Sequence, residues 1–138
     1  MHSAEDALAG LGAAVDVVVE GEVADRPAAV LGADLVALRR QIDRLEAEFV
    51  RRLSHFERKR GFIADGAPSV VSWLRSRCGL AASGAAGRAE VAREIRVLPE
   101  ADQLFRAGAI GLDHARVLAR TVTEIGPEAA ASAGAELV

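Results

Sequence analysis

Between Asp65 and Arg120 the chain sets out four short apolar stripes in fewer than sixty residues, each bracketed by residues that start or stop a helix. Ser69 stands just before Val70, Val71, Trp73, Leu74 and Cys78, placing a hydroxyl over the free amides of a first helix. Gly79 follows the last apolar position and suits a left-handed terminus, and Ser83 is placed to cap a second helix four residues on. Two helices joined by so short a turn read as a helix-turn-helix unit. In the second, Ala85, Ala89, Val91, Ala92 and Ile95 share one arc at about 100° per residue. Arg88 falls in the middle of that arc, where a charge needs a carboxylate partner; Asp65 and Asp113 are the expected candidates. Glu90, Arg93, Glu94 and Val97 face outward. Leu98-Pro99 closes this helix, and Pro99 opens a third that carries Leu104 and Phe105 and stops at Gly108. Asp113 lies in the first turn of a fourth, where a carboxylate complements the helix dipole, ahead of the stripe Leu112, Ala115, Leu118, Ala119 and Val122.

Upstream, Leu35, Leu38, Ile42, Leu45, Phe49, Leu53 and Phe56 follow a nearly heptad spacing behind Asp34, which is placed to cap. A helix from Asp34 to about Arg60 would be roughly 40 Å long at 1.5 Å per residue, more than a domain of this size needs for its own core. Part of it is therefore expected to meet another surface: the first reading is an ordinary core-facing helix, the alternative a dimeric coiled coil or a partner helix. Arg58, Lys59, Arg60 and Gly61 close it, and the run reads equally as a C-terminal cap, with cations at the negative end of the dipole, or as a phosphate contact. Before it, Leu8, Leu11, Val15, Val18 and Val19 predict a helix over 4–19, and 21–32 reads as a loop or helix break around Pro27. After Gly126-Pro127, an alanine-rich helix runs toward Val138 without a closing signal, so the chain is expected to be the N-terminal part of a longer protein. The expectation is one all-α domain over 1–138, with an acidic helix and loop over 1–33 and a helical core over 34–138.

Charge is unevenly spread. Residues 1–38 hold seven acids against Arg26 alone, 39–120 hold sixteen bases against ten acids, and 121–138 hold three acids. A basic middle fits either a polyanion partner or ordinary solvated helix faces. Cys78 is the only cysteine, which excludes an internal disulfide and fits a reducing, cytoplasmic setting. Lys59 is the only lysine among many arginines and alanines, a bias of GC-rich bacterial coding. No run of about 20 apolar residues occurs, so no membrane helix is expected.

Catalytic chemistry finds few side chains. The chain contains no asparagine, and His2, His55 and His114 lie on separate elements, with Cys78 the only sulfur ligand. Ser72 and Ser76 lack a nearby base, and no phosphate-binding glycine loop occurs. No metal, cofactor or small-molecule ligand is expected.

The order Asp65-Gly66-Ala67, Ser69, Trp73-Leu74, Gly79-Leu80, Ala85, Arg88, Ala92, Leu98-Pro99, Gly108 and Asp113-His114-Ala115-Arg116 resembles the 13E12 repeat family, the domain of unknown function numbered 222, from about Leu35 to Arg120. The resemblance implies an all-helical N-terminal region commonly followed by an HNH nuclease module, and hence a link to DNA. It carries over no catalytic or binding residue. A weaker likeness is to the helix-turn-helix core of partition proteins, although aligning Gly79 on the turn glycine puts Arg75 where a small residue is wanted and Arg88 where an apolar one is. The chain is thus expected to be a non-catalytic, DNA-associated accessory domain that touches DNA through Arg75, Arg77, Arg93 and Arg96. Trp73, Arg88, Gly79 and Asp113 take structural roles. The alternative is a protein-interaction or dimerisation module using the 34–60 helix and the acidic first helix, with no nucleic-acid role.

Overall fold

A computed structural model describes residues 4–137; His2 and Val138 lie outside them. The architecture is all-α, with no strand among the described residues. In order come α1 (Ala4–Val19), α2 (Ala28–Arg58), α3 (Gly61–Ala64), α4 (Val70–Arg77), α5 (Ala82–Glu94) with a 3-10 turn at Ile95–Val97, α6 (Pro99–Arg106), α7 (Leu112–Ile125), α8 (Pro127–Ser132) and α9 (Gly134–Leu137). Two compact units result, Met1–Ala37 and Leu38–Val138, with the boundary inside α2.

In the first unit, α1 forms where its periodicity places it, but every residue from Asp6 to Val30 is exposed, Leu8, Val15 and Val18 included. The helix expected from Asp34 begins at Ala28, immediately after Pro27, whose carbonyl accepts from the amides of Val30 and Leu31. Proline pre-sets the backbone for a helix start. Asp34 is therefore not a cap; its carboxylate takes two bonds from Arg26, at 2.9 and 3.0 Å, pinning the preceding loop to the helix.

The second unit owns the core. Ala47, Val50 and Leu53 of α2 meet Val70, Leu74, Ala85, Val91, Leu98, Phe105, Leu118 and Val122. α5 is its centre, burying Ala85, Gly87, Ala89, Val91 and Ala92, and it packs most extensively on α7 and α4. Alanine and glycine on this arc let neighbouring helices approach closely. Ser69 caps α4 as its sequence implies, its hydroxyl accepting from the Ser72 amide at 3.1 Å. Ser83 does not cap α5: the helix starts at Ala82 behind Ala81, leaving Ser83 inside the first turn with its carbonyl facing Arg116. Gly79 has φ +66° just past Cys78, the left-handed terminus a glycine adopts without Cβ strain. Gly108, φ +76°, ends α6 against α2, where a Cβ would lie 2.9 Å from the Arg40 carbonyl. The alanine-rich tail is two short helices broken at Ala133 rather than one.

Candidate nucleic-acid interface

Three faces of α2 do three jobs. At roughly 100° per residue, Asp43, Ala47, Val50 and Leu53 turn toward the core, and Glu46 and Glu57 lie on one edge of that face. Glu46 takes the Nη2 and Nε of Arg88 at 2.7 and 3.1 Å, and Glu57 takes those of Arg93 at 2.5 and 2.8 Å, so two forked ion pairs clamp α2 to α5. Arg88 is the more enclosed, its side chain 17% exposed, and also donates to the Gly84 carbonyl. Its partner is thus Glu46, not Asp65 or Asp113. Asp65 instead accepts from Trp73 Nε1 at 2.8 Å and lies 3.6 Å from Arg77, while Asp113 stands exposed in the first turn of α7. Trp73 is half-buried, its ring 4.4 Å from that of Phe56.

The opposite edge of the core-facing arc is cationic. Arg40, Arg44, Arg51, His55 and Arg58 follow at steps that keep them on one line of the helix. Across from them stand Arg96, on the 3-10 turn, and Arg106, at the end of α6. With Arg51, His55 and Arg58 they ring a cleft of about 120 Å³ floored by Val50, Ile95 and Phe105. A neighbouring hollow of about 360 Å³ shares Arg51 and Arg106 and adds Arg44. The combined groove carries five guanidinium groups, Arg44, Arg51, Arg58, Arg96 and Arg106, against two carboxylates, Glu48 and Asp102.

The two carboxylates do not neutralise it evenly. Glu48 is gripped by Arg51 at 2.8 and 2.6 Å and by Arg52 at 2.6 Å, and the Arg51 hydrogen bond, opposed by partial burial, holds its carboxyl down at about 2. Asp102 pairs with Arg106 at 3.2 Å. Arg44 has only the Gln41 amide oxygen, at 2.8 Å, and Arg58 only the Ser54 carbonyl and His55 Nδ1. Arg96 has no hydrogen bond or ion pair among the described residues. Three exposed guanidiniums are thus open to an incoming anion.

The four arginines singled out from sequence are not brought onto one surface. Arg93 is tied to Glu57 and Arg77 lies near Asp65, whereas Arg75 and Arg96 are unpaired among the described residues but line different clefts, Arg75 beside Ser72, Ser76 and Gly79. The larger hollow between α5 and α7, about 570 Å³, is poorer in net charge: Arg120 there is paired with both Glu90 and Glu124. The groove on α2 went unread in sequence because its arginines sit where an exposed helix face would put them. Only the recurrence of Arg44, Arg51 and Arg58 at intervals of seven marked it.

Among the described residues no helix is long and apolar enough to cross a membrane, and no three His, Cys, Asp or Glu side chains cluster as a metal site. No curated protein and no solved structure matches the chain. Residues 28–138, from the first residue of α2 onward, match the family model described as a domain of unknown function, DUF222. The match covers most of the chain, and the protein belongs to the DUF222 family.

Proposed function

We propose that the 38–138 unit is a non-catalytic helical module that holds nucleic acid, most simply duplex DNA, along the cationic groove of α2. The observation that carries this reading is the alignment of Arg44, Arg51 and Arg58 with Arg96 and Arg106 around one groove, three of them without a carboxylate partner among the described residues. From Arg44 to Arg58 the helix rises about 21 Å, the length of roughly six steps along one strand. Guanidinium groups suit phosphate because their forked donors match its oxygens. The likeness to the 13E12 repeat family supports a finer statement: an accessory region of an HNH-endonuclease-type protein, working in the cytoplasm of a bacterium and placing a catalytic module on DNA rather than cutting it. The absence of asparagine from the chain fits that division of labour.

Fluorescence anisotropy with a labelled duplex tests it. Binding is expected near about 1–100 µM at physiological salt and tighter at low salt, with a log-log salt slope of about −3 if the three open guanidiniums each displace counterions. Arg58→Ala with Arg96→Ala should flatten the slope by about two, while Arg75→Ala, on a separate cleft, should leave it unchanged. Absence of binding at low salt, or a double variant that binds like the parent, rejects the reading.

A further inference from the structure

A histidine stands inside the cationic groove. Of the two histidines among the described residues, His114 is exposed on α7, whereas His55 lies on α2 one turn after Arg51 and three residues before Arg58, and lines the same cleft as both. We propose that His55 is a proton switch on this groove, tightening its hold on nucleic acid as pH falls from about 8 toward about 5.5. The switch acts only if the groove holds nucleic acid, as proposed above.

The hydrogen bond at the ring sets the sense of the switch. His55 Nδ1 lies 3.1 Å from Nη2 of Arg58. A guanidinium has donors only, so Nδ1 accepts, and the neutral ring carries its proton on Nε2. Protonation puts a second N–H on Nδ1, donor against donor, and this bond can no longer form. Arg58 is then left with the Ser54 carbonyl, at 3.3 Å. One proton therefore frees Arg58 to follow a phosphate and sets a second cationic donor beside it.

The cleft does not cancel the added charge. Facing His55 are Arg51 and Arg58 on its own helix, Arg96 on the 3-10 turn, and Arg106 with Asp102 on α6, while α5 contributes only the uncharged Ala92. Asp102 is the one carboxylate lining this cleft among the described residues, and Arg106 engages it at 3.2 Å. Arg52 and Lys59, each about a turn from His55 along α2, are cations as well, and Glu48 is held by Arg51 and Arg52. The new charge is thus presented to an incoming anion. By linkage, a polyanion that prefers the protonated groove promotes that protonation, so binding takes up protons.

Anisotropy of a labelled duplex at low salt tests the switch, with the full chain carrying His2→Gln and His114→Gln so that His55 is the only histidine left. From about pH 8 to about pH 5.5 the affinity should rise roughly three- to tenfold, and the log-log salt slope should steepen by about 0.9, one phosphate more. His55→Gln in the same background keeps an acceptor for Arg58 but cannot take the charge, and should remove the response. His55→Lys carries the charge at every pH in this range and should bind at about pH 8 as the parent does at about pH 5.5. Calorimetry in two buffers of different ionisation enthalpy should show proton uptake on binding, lost in His55→Gln. Both substitutions fall on an exposed position, so the circular dichroism should not change. Binding that ignores pH over this range, a response that survives His55→Gln, or a His55→Lys variant no tighter at about pH 8 overturns the switch and leaves the groove standing. Absence of binding at every pH rejects the groove reading and the switch with it.

Discussion

The two ends of the stripe on α2 share one periodicity and have opposite fates. Toward the C-terminus, Leu53 is buried and Phe49 and Phe56 pack against the core, with the Trp73 ring on Phe56. Toward the N-terminus, Leu35, Leu38, Ile42 and Leu45 remain 44–67% exposed. What separates them is the turn at Arg60 and Gly61, which brings Phe62 and α4 back over the last turns of α2, whereas at Arg40, Asp43 and Arg44 the chain after α6 meets a different face of the helix. An apolar period thus states that a face can be buried; which part is buried depends on where the chain doubles back.

The sharpest way to break this comparison is truncation at matched positions. Leu53→Ala, at 4% exposure, should cost about 2–4 kcal/mol in chemical denaturation, because it removes transfer energy and leaves a cavity. Leu38→Ala at dilute concentration should stay within about 0.5 kcal/mol. Equal losses at the two positions would show that the N-terminal end of the stripe is covered in solution even by the monomer.

Glycine substitutions sharpen the contrast at somewhat smaller cost. A Cβ at Gly61 would stand 2.2 and 2.6 Å from Phe56 ring carbons, and that ring is backed by Trp73. Gly61→Ala should therefore destabilise by about 1–3 kcal/mol and shift the tryptophan emission. Gly32, on the uncovered end of α2, has nothing within 4 Å of a Cβ. Gly32→Ala should raise helicity and stabilise locally by about 0.5–1 kcal/mol, since alanine loses less backbone entropy in a helix.

These residues also show how far the sequence could be read. Helix starts at Ser69 and Pro99 and stops at Gly79 and Gly108 were legible because caps and turns are local chemistry, acting over three or four residues. The core face of α2 was not, because it is built from Asp43, Ala47, Val50 and Leu53, smaller and more polar than the leucines roughly 100° away. Small side chains are selected there by the close approach of neighbouring helices, a tertiary fact with no local sign. The start of α2 was misplaced for a related reason: Asp34 has the chemistry of a cap, but Pro27 acts first and Arg26 claims the carboxylate. Of the candidate site, Arg96 is named from sequence and Arg58 belongs to a run that reads as a cap or a phosphate contact, while Arg44, Arg51 and Arg106 gain their meaning only when α6 and the 3-10 turn are set beside α2.

The turn itself offers a finer test. Arg60 holds φ +55° and ψ +35°, left-handed backbone that strains a residue with a Cβ, and its side chain has no partner among the described residues. Arg60→Gly should stabilise the unit by about 0.5–1 kcal/mol by relieving that strain, less the greater entropy of glycine in the unfolded chain. A loss of stability instead would show that the cation contributes to closing α2.

The smallest effect concerns Glu48, which stands between the two ends of the stripe, on the groove side. Its folded carboxyl, held at about 2 chiefly by the Arg51 hydrogen bond, lies below the ordinary glutamate value of 4.5. A depressed acid stabilises the fold above its unfolded value, and that contribution is lost as pH falls from about 4.5 through about 2. The side chain is 38% exposed, so solvent and salt screen the pair and the change in melting temperature should be slight. Glu48→Gln should remove that portion of the acid dependence while barely altering stability at neutral pH. At the groove the same substitution should do more, because releasing Arg51 adds one open guanidinium. DNA affinity should rise several-fold and the salt slope steepen by about one, roughly 0.9 for the phosphate gained. An unchanged slope would place the nucleic-acid contact away from α2.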